Sequence, residues 1–173
     1  MDLELVDYND PILLQPCHKF DMKNPPFNIV DFSQSLVDKM LEKNGLGLAA
    51  NQVGIPYSVF AMRGEPENFV CFNPKIVQAS EEVIELEESC LSYPGLIIKI
   101  ERPRHVRMRF TGPNGEVFTR TFANMTSRCV FHEMCHLEGR PFWDGISKTK
   151  FNIAKRKAKK YNKDYSNLTY KGI

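Results

Sequence analysis

A chain of 173 residues, 42% hydrophobic and 25% charged, has the size and composition of one globular domain with a substantial core, and a second independent domain is not expected. No apolar run is long enough to cross a bilayer, and Met1-Asp2-Leu3-Glu4 lacks the basic region and apolar core of a secretion signal, so a cytoplasmic protein with no membrane partner is expected. The net charge of +2 conceals an asymmetry: nine of the 23 Lys and Arg but only one of the 21 acids, Asp164, fall in residues 148 to 173, leaving the first 147 residues at −6.

Tyr8-Asn9-Asp10-Pro11-Ile12-Leu13-Leu14, with Pro16, Pro25 and Pro26 following, reads as an irregular arm that wraps the body. From Asn28 to Asn44 the residues Ile29, Val30, Phe32, Leu36, Val37, Met40 and Leu41 recur at three- and four-residue steps, which predicts a core-facing helix ending before Gly45. Short β-type runs follow at 57–62, 69–72, 82–86, 96–100, 106–111 and 117–122, and Gly112-Pro113-Asn114-Gly115 joins the last two as a hairpin. After Asn124 the period becomes helical again, with Met125, Cys129, His132 and His136 on one face, until Gly139 and Pro141 stop it. Phe151, Ala154, Ala158, Tyr161 and Tyr165 then keep helical spacing among lysines and arginines, so a docked helix with a cationic outer face is expected. The fold class is α+β: a single domain of antiparallel or mixed sheets packed around a central metal-binding helix, with a basic C-terminal helix. Residues 1–147 are expected to form the body, and 148–173 a basic extension, helical and part of the same domain.

The chemistry concentrates in Phe131-His132-Glu133-Met134-Cys135-His136-Leu137-Glu138-Gly139. On a helix, His132 and His136 share a face and can offer imidazole nitrogens to a divalent cation, while Glu133 can reach a water beside it. The bland alternative is a helix with two histidines and no metal. Two histidines leave a catalytic metal short of ligands, and Cys90, where a β run breaks into the turn of Glu88-Ser89-Cys90-Leu91-Ser92, is the best candidate for a third. A buried structural cysteine is the alternative there. The five cysteines, Cys17, Cys71, Cys90, Cys129 and Cys135, form no paired framework, so any functional one is a thiol or a ligand. Gly45-Leu46-Gly47-Leu48-Ala49-Ala50-Asn51-Gln52 lets a ligand's backbone approach closely; a loop packed tightly for steric reasons is the alternative, and a phosphate loop is discounted for want of Gly-Lys-Ser/Thr.

Taken together and in this order, Gly-x-Gly-Leu-Ala-Ala-x-Gln at 45–52, Glu-x-Cys-Leu-Ser at 88–92 and His-Glu-x-x-His-Leu-x-Gly at 132–139 resemble the peptide deformylases over nearly the whole chain. The resemblance implies a metal-dependent hydrolase that removes the formyl group from N-formylmethionyl nascent peptides. It implies one divalent metal on Cys90, His132 and His136, with Fe(II) native and Zn, Ni or Co able to substitute. Glu133 would act as general base and then acid, with the Gln52 amide and the Leu91 backbone N–H as oxyanion donors. Backbone around Leu46, Gly47 and Ser89 would pair with an extended peptide, and Leu46, Leu86, Met125 and Cys129 would line a methionine pocket, with Arg128 facing near it where an aliphatic residue would be less surprising. The basic tail would contact ribosomal RNA near the nascent chain's exit, a solvated face that aids solubility being the alternative, and removing residues 150 to 173 should then spare activity on a small peptide while weakening ribosome binding in a salt-dependent way.

Three positions depart from the family pattern: Ser89 for Gly, Phe131 for Gln and Cys135 for Asp. They suggest a divergent member, such as a phage-encoded one. Strain is expected at Ser89 if the position needs positive φ, and Cys135 should leave Arg102 or Arg104 without a carboxylate. Ile97 stands where bacterial relatives often carry an arginine. Two rivals are a metallopeptidase of the His-Glu-x-x-His type, for which no downstream third ligand follows Gly139, and a non-catalytic structural zinc site closed by Cys90, Cys129, His132 and His136.

Overall fold

The computed structural model describes residues 1–170. Asn28 starts the first helix, α1 (Ile29–Glu42), by accepting the N–H groups of Val30 and Asp31 on its side chain, and Phe32, Leu36 and Met40 form the stripe that faces the core. Seven strands follow: β1 (Gly47–Ala49), β2 (Val59–Met62), β3 (Phe69–Ala79), β4 (Val83–Cys90), β5 (Tyr93–Pro103), β6 (His105–Thr111) and β7 (Val117–Ala123). The metal-motif helix α2 (Asn124–Leu137) and the tail helix α3 (Lys148–Ala158) complete the fold. One antiparallel sheet runs in the order β1-β2-β3-β6-β7, and β4 and β5 form a separate two-stranded ribbon.

Three of the strands are longer than the hydrophobic runs suggest: the run at 96–100 becomes β5, Tyr93–Pro103, and two others are continued by partly exposed residues. The run at 69–72 extends to Ala79 by pairing with β6, and the run at 82–86 extends to Cys90 by pairing with β5. Gly47-Leu48-Ala49, read from sequence only as a permissive loop, is itself a strand paired with β2, and all three residues are buried. The 106–111 and 117–122 runs pair as expected through the Gly112-to-Gly115 turn, where Gly112 N–H donates to Glu116 O at 2.8 Å.

The N-terminal arm does wrap the body. Val6 N–H donates to Gln52 O at 2.9 Å and Cys17 N–H to Leu137 O at 2.8 Å, while the Asn73 amide both accepts from and donates to the backbone of Phe20. Gly139, at φ +68°, ends α2 where a Cβ would lie 2.5 Å from the backbone of Gln15, so the arm can cross the helix end only over glycine. The tail helix docks by Phe151, Ala154 and Ala158 on a cluster with Leu96, Ile98 and Trp143. The expected stripe breaks after Ala158: Tyr161 is 58% exposed, and Tyr165, beyond a left-handed turn at Asn162, is buried with its hydroxyl donating to Pro94 O at 2.7 Å. Deleting residues 150 to 173 would therefore uncover core, not merely remove charge. Lys171, Gly172 and Ile173, included in the basic extension, lie outside the described residues. No helix among the described residues is long and apolar enough to cross a membrane.

Candidate active site

Helix α2 carries His132 and His136 on the face turned toward the end of β4, and Cys90 is the last residue of that strand. The ligand atoms of Cys90, His132 and His136 all lie within 4.8 Å of one another, and Cys90 Sγ is 3.2 Å from His136 Nε2. All three side chains are buried. His132 Nδ1 is 3.1 Å from Glu88 Oε2, which fixes the ring and leaves its other nitrogen for the cluster. Burial pushes the Cys90 thiol up, opposed by hydrogen bonds from Ser92 and Tyr93 backbone, and burial holds His136 well below its ordinary range. A neutral imidazole is what a ligand must be, and a buried thiol surrounded by donors is readied for ionisation by a cation. The donor set, one sulfur and two nitrogens with converging lone pairs, fits a divalent transition metal. Among the described residues Cys129 is not part of this cluster, so a closed four-ligand zinc site does not form.

Glu133 is 3% exposed, and its Oε2 has no hydrogen-bond partner among the described residues. Burial, then the charge of Glu88, push its carboxyl up to about 8, against the Ala49 backbone N–H, which pulls it down. A Cβ on Gly47 would meet Glu133 Oε1 at 2.4 Å and Cys129 Sγ at 2.7 Å, so β1 can run this close to the carboxylate only with glycine. Gly47→Ala is expected to displace Glu133 and lower turnover by about 100-fold, the usual cost of a misplacement near 1 Å. Turnover measured beside bound metal checks this: a variant with intact metal content and wild-type turnover would show that the approach does not matter.

The Gln52 amide is held at both ends: Oε1 accepts from Ala49 N–H at 2.9 Å, and Nε2 donates to Ser92 Oγ at 2.9 Å and to Cys90 Sγ at 3.5 Å. Leu91 lies in the turn between β4 and β5. Both border a cavity of about 490 Å³, together with Cys90, His132 and Glu133. Leu46, Gly47, Ser89, Met125, Arg128 and Cys129 also line it, with Leu46 and Met125 half exposed at the rim. Leu86, expected among them, is not: it sits farther along β4, 40% exposed and outside the lining. Ile97 lies on β5, also outside it.

The residue that organises this region, and that sequence reasoning passed over, is Glu88. Its carboxylate accepts from Arg102 Nε and Nη2 at 3.0 and 3.1 Å, from Arg128 Nη1 at 2.6 Å, and faces His132. Burial opposes its ionisation, but the hydrogen bonds with His132 and Arg102 outweigh that and hold it at about 2. The expectation of an arginine orphaned by Cys135 is thereby corrected. Arg102 takes Glu88 as its carboxylate, donates also to Phe142 O at 2.7 Å and reaches Cys135 Sγ at 3.7 Å, while Arg104 pairs with Glu82 at 2.8 Å. Ser89 is not among the residues with positive φ, so the expected strain is absent. Asn51, whose amide donates to His136 O at 2.8 Å, is a further support that sequence reasoning missed. Its place within the Gly45-to-Gln52 motif was the available signal.

The polypeptide deformylase family model matches residues 2–152. A peptide deformylase of Phenylobacterium zucineum is 37% identical over 153 residues, which cover 82% of this chain and 89% of that protein. The chloroplast and mitochondrial peptide deformylase 1B of Arabidopsis thaliana is 31% identical across 96% of this chain, which spans only 62% of that relative's length. The crystal structure of a peptide deformylase from Synechococcus elongatus in complex with actinonin superposes with a TM-score of 0.82 at 30% identity, covering 91% of this chain and 86% of that one. With the fold, the Cys90, His132 and His136 cluster and the buried Glu133 all in place, the chain belongs to the polypeptide deformylase family.

Proposed function

We infer that this protein hydrolyses the N-formyl group of formylmethionyl polypeptides, releasing formate and a free N-terminus. The observation that carries the reading is the cluster of Cys90, His132 and His136 beside Glu133, whose Oε2 has no partner among the described residues, with Cys90, His132 and Glu133 at the wall of one cavity. A divalent cation held by those three side chains would supply the Lewis acidity that makes water a nucleophile at neutral pH. The buried Glu133, whose ionised form the cation's charge would also favour, accepts the proton of the attacking water as the water's oxygen bonds to the formyl carbon. Gln52 Nε2, giving up its present acceptors, and the Leu91 N–H face the oxyanion that forms. When the C–N bond breaks, Glu133 returns the proton to the departing amine.

Fe(II) is our choice for the native metal, with Zn, Ni or Co as substitutes, since one thiolate with two imidazoles accepts all four. Metal content and formate release from a formyl-Met peptide, measured after anaerobic purification, test both points. Activity that survives exhaustive chelation would sink the metal assignment, and the absence of formate with iron bound would sink the reaction.

We also propose that the enzyme works in the cytoplasm on nascent chains, and that residues 148–173 belong to the catalytic domain and give it a ribosome contact. Arg156, Lys157, Lys159 and Lys160 are exposed, and the apolar stripe of α3 faces the opposite way. Changing these four to glutamate, which keeps the docked stripe, is expected to weaken ribosome binding in a salt-dependent manner while formyl-peptide turnover stays at the wild-type level. Cosedimentation with ribosomes at two salt concentrations reads this directly, and unchanged binding would reject the contact.

A further inference from the structure

Arg128 is 4% exposed, yet it borders the cavity that, on the deformylation reading, receives the substrate's first side chain. A guanidinium has five N–H donors. Three are used: Nη1 donates to Glu88 Oε1 and to Ile100 O at 2.9 Å, and Nη2 donates to Ile84 O. The Nε–H and one Nη2 N–H have no acceptor among the described residues. Nε is not among the enclosed polar atoms, and Arg128 is one of the residues that line the cavity. The charge is also incompletely matched, because Glu88 is the carboxylate for Arg102 as well as Arg128.

A hydrocarbon packed against such a donor takes it from water and returns nothing, whereas a lone pair satisfies it. We propose that Arg128 makes this cavity select a first side chain that bears a hydrogen-bond acceptor, so that a thioether, sulfoxide or carboxamide of methionine's length is preferred to an unsubstituted hydrocarbon. The sulfur of methionine is a weak acceptor and a sulfoxide oxygen a strong one, while norleucine has the same length and no acceptor.

The test is formate release from four peptides that differ only in the formylated residue: methionine, norleucine, methionine sulfoxide and glutamine. In the wild type, kcat/KM for norleucine is expected to fall about 10-fold below methionine, with the sulfoxide and glutamine peptides at or above norleucine. In Arg128→Leu the order reverses: norleucine matches or exceeds methionine, and the sulfoxide drops by about 10- to 100-fold. Arg128→Lys, which retains a donor, should keep the wild-type order. If the leucine variant does not fold, the wild-type series decides alone: norleucine equal to methionine with the sulfoxide rejected overturns the proposal. No formate from any of the four overturns the deformylation reading instead.

Discussion

Glu133→Gln is expected to lower kcat/KM for a formyl-Met peptide by about 100- to 10,000-fold, the span that a positioned general acid and base contributes. The exchange keeps the volume of the side chain between β1 and α2, so Gly47 and Cys129 need not move. It removes the only change that matters to the mechanism, because a carboxamide cannot accept a proton from water at neutral pH. The unpartnered, buried Oε2 sharpens the expectation: of the other carboxylates that border the cavity, Glu88 is committed to Arg102, Arg128 and His132, and Glu87 is an exposed residue of β4. Formate release read beside metal content decides it. Wild-type turnover with metal bound would remove Glu133 from the reaction and with it the proton route proposed above.

Why some of this was readable from the chain and some was not follows from how far each signal reaches along it. Helices α1 and α2 announce themselves through contacts three and four residues apart, so Phe32, Leu36 and Met40, or His132 and His136, reveal a shared face without any tertiary information. The basic tail obeys the same rule up to Ala158 and fails at Tyr161, where a turn that depends on Asn162 redirects the chain. Cys90 came into view through its motif. Glu88 stands in the same motif but did not, because it lies in the run Glu85-Leu86-Glu87-Glu88, which reads as a solvated strand edge. What makes it different is long-range: its partners are 14, 40 and 44 residues away, on β5 and α2. For the same reason Cys135 looked like a loss to Arg102, when the arginine's carboxylate comes from another strand. Leu86 was misplaced because strand alternation tells which side a residue faces and not how far along the ribbon the cavity extends.

Glu88→Ala is the second large effect, and it acts on stability and on metal retention through one side chain. The substitution leaves two buried guanidinium groups without their shared carboxylate, and breaking a buried ion pair from one side costs about 3–5 kcal/mol. For a chain of this length that corresponds to a fall in Tm of roughly 6–20 °C. By contrast, Glu82→Ala breaks the exposed pair with Arg104 and is expected to cost about 1 kcal/mol or less, which makes it the control for charge removal as such. His132 also loses the acceptor that orients its ring, so metal affinity should weaken by about 10- to 100-fold. Thermal unfolding with and without chelator separates the two contributions. A Tm deficit that persists after metal is stripped from both proteins belongs to Arg102 and Arg128, whereas a deficit confined to the loaded enzyme belongs to His132. If neither differs from the Glu82→Ala control, Glu88 does not hold the site together. The support of α2 would then have to come from packing and from its other hydrogen bonds, such as those of Asn51 to His136 O, Cys17 to Leu137 O and Arg128 to Ile100 O.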